Sequence, residues 1–292
     1  MRLARIFGST LGLMLALGAP ARAADDPTYL GVLEAGQDSG FSVRLAFRFE
    51  NGRWEAMPHD AGDPEALAKL AALYPAKASW TIALDGKNIG SVASVRPRTY
   101  ERYRDVGLEA LTPDSKAPAI RSGAQAFETW DGTPRYRPLA AVSRPNFSDP
   151  DHWKPFRPSA SLGQQAHAAF RKAIALDPGC DNRPTRDYPE AYIQLLEKAY
   201  RSSRGDVLLA LRADPSKNRC DVQDAEWRSV WFLVRDNAVT WIGNGLALID
   251  AGDYDGDGIS ELLFQSSGYN LDGYVLFNVR DATAQRFEWS YH

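Results

Sequence analysis

The residues best suited to chemistry form one short run, Asp253-Tyr254-Asp255-Gly256-Asp257-Gly258-Ile259-Ser260-Glu261. Carboxylates fall at its first, third, fifth and ninth places, with Gly258 at the sixth. Hard cations such as Ca²⁺ need several oxygen ligands at once, and alternating acids in a tight loop turn toward one point. Gly258 permits a sharp backbone bend, which aims the Ile259 carbonyl inward as a further ligand. Glu261 closes the site from the start of the next strand. No Lys or Arg lies among these positions, so four clustered carboxylates repel one another unless a cation joins them. The competing reading is a solvated acidic turn.

The run begins like an EF-hand, but Phe264 stands where the bidentate glutamate belongs. Leu262-Leu263-Phe264 also reads as a strand rather than an exit helix. The segment Ala251 to Leu263 instead resembles the FG-GAP (VCBS-type) calcium loop of integrin-like β-propellers. That resemblance covers about residues 246–268 and implies Ca²⁺ held by Asp253, Asp255, Asp257 and Glu261 side chains and the Ile259 carbonyl. Glu261 stands where the family more often has aspartate. One copy is present, so the propeller itself, which needs several blades, is not implied.

Other chemistry is sparse. There is no Gly-x-Ser-x-Gly elbow, His-Glu-x-x-His, phosphate loop or Gly-x-Gly-x-x-Gly. His59, His152, His167 and His292 are scattered and read as surface or packed residues. Arg96, Arg98, Arg102 and Arg104 interleave with Tyr100 and Tyr103, which suits an anionic glycan or phosphate, or else a solvated edge. Trp130 and Trp153, beside proline and glycine, are candidates to face a glycan.

The elements that hold these residues read as antiparallel β with a central helix pair, an α+β fold. Val43, Leu45, Phe47 and Phe49 alternate with Arg44, Ala46, Arg48 and Glu50, giving one apolar and one mostly polar face. Asn51-Gly52 then marks a hairpin, and Asp85-Gly86, Asp131-Gly132, Asn244-Gly245 and Asp272-Gly273 mark further turns. Between the first two, Asp63 caps a short helix with Pro64 in its first turn and Pro75 at its end. Residues 96–158 hold nine of the 18 prolines and read as extended connector.

Ser161-Leu162-Gly163-Gln164 has the form of a capping box for a helix running to Leu176. A second helix is expected from near Pro189 to Gly205, with Tyr192, Ile193, Leu196 and Tyr200 on one side. Val230 to Val234 and Val239 to Ile242 read as strands joined at Asp236-Asn237. Two regions follow, a β-rich 24–150 and a 151–292 of helix pair and calcium-bearing hairpins.

Residues 1–23 have the three-part order of a secretory signal: Arg2 and Arg5, the apolar stretch Ile6–Ala19, then Pro20 and Ala21-Arg22-Ala23. No later stretch is long and apolar enough to cross a bilayer. The mature chain is therefore expected in the periplasm or secreted. There Cys180 and Cys220 most simply pair, closing a loop whose chain-entropy contribution is about 4 kcal/mol.

The formal charge is −3, and signal removal takes three arginines and no acid, so the mature chain is more acidic still. Hydrophobic residues at 44% and charged residues at 24% are those of a folded protein, which excludes long disorder. The charge gives no polycationic footprint for nucleic acid. The expectation is an exported, calcium-binding, non-catalytic binding or envelope-associated protein, with cell-envelope glycan or protein as the candidate partner. A secreted hydrolase of cell-wall glycan or peptide with structural calcium, and a carbohydrate-binding protein, are the alternatives.

Overall fold

The computed structural model describes residues 27–36, 40–60, 63–101, 103–124, 127, 134–174, 193–213 and 229–291. Residues 1–23, where a secretory signal is expected, and Cys180, Cys220, Asp131-Gly132, Trp130, Arg102 and His292 lie outside them. Among the described residues the architecture is β-rich, 49% strand with two α-helices and antiparallel sheets. No helix among the described residues is long and apolar enough to cross a membrane.

Three sheets and one helix stack in layers. A seven-stranded sheet has the order β3(Arg53–Ala56), β2(Phe41–Glu50), β1(Thr28–Ala35), β7(Leu139–Val142), β4(Lys77–Leu84), β5(Lys87–Val95), with β6(Leu108–Ala110) also on β2. A four-stranded meander runs β13(Leu246–Gly252), β14(Glu261–Gly268), β15(Leu271–Asn278), β16(Thr283–Ser290). A five-stranded sheet runs β12(Ala238–Gly243), β11(Val230–Arg235), β10(Val207–Ala213), β9(Ile193–Arg201), β8(Lys154–Pro155).

The meander is the middle layer. Leu263, Tyr274 and Leu276 pack toward the seven-stranded sheet with Trp80 and Ile82. Leu262, Phe264, Val275 and Phe277 pack toward the five-stranded sheet with Leu208, Trp231 and Leu233. Both faces of β14 and β15 are thus buried, which is why they read as unbroken apolar runs instead of alternating. The far face of the five-stranded sheet is covered by Ala166 and Phe170 of α2(Ala160–Ile174).

The local signals act as their chemistry dictates. Asn51 and Gly52 have φ of 53° and 78°, and Asp85 and Gly86 have 51° and 70°, as tight hairpin turns require. In α1(Pro64–Ala72) the Asp63 carboxylate accepts from the Ala66 N–H at 2.8 Å. Asp63→Ala is expected to lower the unfolding free energy by about 1 kcal/mol, measured by urea denaturation.

Four expectations are corrected. The second helix of the pair is instead strand β9, which pairs antiparallel with β10 through the Gly205 turn. Its helix-like apolar spacing gives way to a ladder partner, Val207–Ala213, that no local signal reveals. Asp272-Gly273 lies inside β15, and the turn is at Tyr269-Asn270, where Asn270 has φ of 58°. Gly273 is needed for another reason: a Cβ there would stand 2.5 Å from the Phe287 carbonyl on β16.

The cap of α2 is also displaced, with the Ser159 hydroxyl accepting from Leu162 N–H at 3.3 Å ahead of the Ser161 position. Lastly, part of the proline-rich connector is not looped. Leu139-Ala140-Ala141-Val142 forms β7, fully inserted between β1 and β4.

Candidate metal centre

The acidic loop, residues 253–260, joins β13 to β14, whose last ladder pair is Gly252 with Glu261. Positive φ at Gly256 (85°) and Gly258 (84°) supplies the two bends. The acids fold the loop by catching its own amides. Asp253 accepts from the Gly256 N–H at 2.5 Å and the Gly258 N–H at 3.1 Å, Asp255 from Asp257 at 3.0 Å, and Asp257 from Ile259 at 2.8 Å. Such short-range side-chain-to-backbone bonds are what Asp offers a turn.

One ligand oxygen each from Asp253, Asp255 and Glu261 lies within 4.8 Å of the others. Glu261 is 1% exposed, with Oε2 accepting from the Tyr254 N–H at 3.0 Å. Burial first, then the charge of Asp255, pushes the Glu261 carboxyl up to about 9. Burial, then Asp257, pushes Asp255 up to about 6. Two carboxyls are held where their negative charge is costly, and a cation among them removes that cost. Each oxygen that accepts one amide keeps lone-pair capacity for a metal. The donor set is all carboxylate, which suits Ca²⁺ or Mg²⁺ rather than a thiophilic metal. Asp253, Asp255 and Glu261 could therefore hold a hard divalent cation.

Asp257 stands apart from this trio. Its Oδ2 pairs with Arg280 at 2.6 Å. Ile259, at half-buried depth, follows it along the loop. Although no basic residue occurs within the run, the fold brings three arginines to it from elsewhere. Arg204 donates to the Gly258 carbonyl at 2.6 Å and pairs with Asp151. The Arg144 guanidinium occupies the space a side chain at Gly256 would need. These charges sit beside Gly256, Asp257 and Gly258, and Arg280 also partly offsets the charge of Asp255.

The loop is also anchored on every side. Tyr254 is fully buried and stacks on Phe147 at 5.6 Å, and Gly252 leaves room for that ring. Asp253 N–H donates to the Ser148 carbonyl at 3.0 Å. Ser260 donates its N–H to Asp151 at 2.8 Å and its hydroxyl to Asp149 at 2.7 Å. Ser203 N–H in the β9–β10 turn donates to the Asp151 carbonyl at 2.6 Å. A junction between the meander and the five-stranded sheet therefore runs through the loop. Sequence reading missed Asp149, Asp151, Arg144, Arg204 and Arg280, which are far off along the chain and carry no local motif.

The Arg/Tyr cluster does not form one surface. Tyr100 is buried against Tyr74 at 4.9 Å, and Arg96 donates to the Tyr74 carbonyl at 3.0 Å. Arg104 lies over the Tyr291 ring at 5.8 Å.

No family model, no curated protein and no solved structure matches this chain.

Proposed function

We propose that this protein is an exported calcium-binding module without catalysis of its own, built to bind cell-envelope glycan or protein. One observation carries the calcium reading: the three carboxylates of Asp253, Asp255 and Glu261 converge within 4.8 Å, one of them buried. Asp257 and the Ile259 carbonyl are the proposed completing ligands, as in the FG-GAP loop that the segment resembles. Ca²⁺ supplies the positive charge that the buried Glu261 carboxylate lacks. Because the loop is bonded to residues 148–151 and to Arg204, a bound ion also stiffens the contact between two sheets. The N-terminal signal supports an exported location, where millimolar calcium is available to a weak site.

The test is a set of melting curves with calcium, with magnesium and with chelator. Extracellular calcium modules bind at about 10⁻⁴ to 10⁻³ M. Ten times that dissociation constant stabilises the folded state by about 1.4 kcal/mol, or roughly 3–6 °C in midpoint for a chain of this size. Calcium is expected to raise the midpoint by that amount and magnesium by less, since magnesium demands a tighter octahedral shell. Asp255→Ala should abolish the calcium shift. A midpoint that ignores both calcium and chelator would overturn the reading.

A further inference from the structure

A cleft of about 280 Å³ opens where the three sheets meet, lined by Gly86 at the β4–β5 turn, Asp250 on β13 and Tyr200 on β9. Its volume sits at the small end for ligand sites, enough for one compact molecule. Phe127, Trp153 and Tyr200 supply aromatic wall. It neighbours the metal loop but contains none of the converging carboxylates.

Three lining side chains each carry a buried polar atom without a hydrogen-bond partner: Trp153 Nε1, Arg137 Nε and Asp250 Oδ2. Each such orphan costs on the order of 1–3 kcal/mol, a cost that an occupant of the cleft removes once these side chains turn toward it. The remaining atoms of the two charged groups are already engaged. Asp250 Oδ1 accepts from the Gly86 N–H at 2.8 Å and the Ala251 N–H at 2.9 Å. Arg137 donates through Nη1 to the Ala124 carbonyl at 3.2 Å and through Nη2 to the Ile249 carbonyl at 2.9 Å. What remains is two single donors and one single acceptor.

This pattern selects the ligand. A carboxylate or phosphate is held most tightly by a two-pronged donor, and the guanidinium fork is spent, leaving Lys198 as the other cation on the wall. Asp85, Asp149, Asp250, Arg137 and Lys198 all line the cleft, with Arg137 and Asp85 paired at 3.5 Å, so neither an anion nor a cation finds a field of one sign. A hydroxyl both donates and accepts, and several on one ring satisfy isolated donors and acceptors together. The aromatic wall suits the apolar face of such a ring.

We propose that this cleft binds one ring of a neutral saccharide, through hydrogen bonds from Trp153 and Arg137 and to Asp250. The inference gives the binding-module reading a ligand class, and does not depend on the metal.

The experiment is saturation-transfer NMR with tryptophan-fluorescence titration on the full mature chain, in calcium and in chelator. The probes are glucose, galactose, mannose and N-acetylglucosamine, with alanine as a zwitterion and inorganic phosphate as an anion, all at millimolar concentration. At least one neutral sugar is expected to bind, and Trp153→Phe and Asp250→Asn should each weaken it about tenfold. Asn at 250 can still accept from Gly86 and Ala251, which keeps the fold. A cooperative melt checks each variant, and if one fails it, the other decides. No sugar signal from the wild type, binding undiminished in the folded variants, or binding of only alanine or phosphate would each overturn the proposal. A calcium-raised melting point without sugar binding refutes the cleft alone. Sugar binding without a calcium effect refutes the metal alone.

Discussion

Arg44→Ala is expected to lower the unfolding free energy by about 3 kcal/mol, the low end for stripping one partner from a buried ion pair, because the Glu34 left behind is 21% exposed. Arg44 sits on β2 and is 3% exposed. Its guanidinium meets Glu34 on β1 by two contacts, Nε to Oε1 at 2.7 Å and Nη2 to Oε2 at 3.2 Å. Val32 is the ladder partner of Arg44, so Glu34 is its diagonal neighbour on the same face. Nη1 donates to the carbonyls of Arg104 at 2.9 Å and Val106 at 2.6 Å. The group also lies 4.0 Å over the Trp289 ring of β16, and the Tyr274 hydroxyl donates to Glu34 at 2.6 Å. One side chain thus ties the seven-stranded sheet to the meander. Removing it leaves Glu34 with the Tyr274 hydroxyl as its remaining donor and strips a donor from two backbone carbonyls. Lysine should rescue little, because it lacks the planar fork. Urea denaturation gives the number, and a loss under about 1 kcal/mol would show that the network is not structural.

Glu109→Gln is expected to stabilise the protein, and only above mildly acidic pH. Glu109 on β6 is fully buried, accepts from the Ser94 hydroxyl at 2.5 Å, and leaves Oε1 without a partner. Ser94 in turn accepts from Trp80 Nε1 at 2.7 Å. Burial is the main cause that pushes its carboxyl from 4.5 to about 7. The unfolded chain loses this proton near 4.5, while the folded chain holds it to about 7. Between those values the folded state binds more protons, so stability falls as pH rises, then stays level above 7. The accumulated deficit is on the order of 3 kcal/mol. Glutamine keeps the shape without the charge. Wild type and variant should coincide at about pH 4 and differ by up to about 3 kcal/mol at pH 8, in saturating calcium. A difference that does not vary with pH would contradict this origin.

What could be read from the sequence was what nearby residues decide. Asn51-Gly52 and Asp85-Gly86 turn with the positive φ their types allow, and Asp63 caps α1 through its own third neighbour. The acidic loop is of the same kind, since each Asp catches an amide two to five residues on. Strand β9 could not be read, because its spacing also suits a helix and its partner β10 decides the matter. The mostly polar face of β2 misled similarly: Arg44 and Ala46 are buried on it, with Arg44 under Trp289 of the meander. Ser260 finds Asp149 and Asp151 more than a hundred residues away. Only the packed layers bring such groups together.

The central claim is that Asp253, Asp255 and Glu261 hold calcium, and a calorimetric calcium titration of the metal-stripped mature chain tests it most directly. One site is predicted with a dissociation constant of about 10⁻⁴ to 10⁻³ M, and no binding heat in Asp255→Ala. A wild-type titration without binding heat at millimolar calcium, or an Asp255→Ala variant that binds as tightly as wild type, would contradict it.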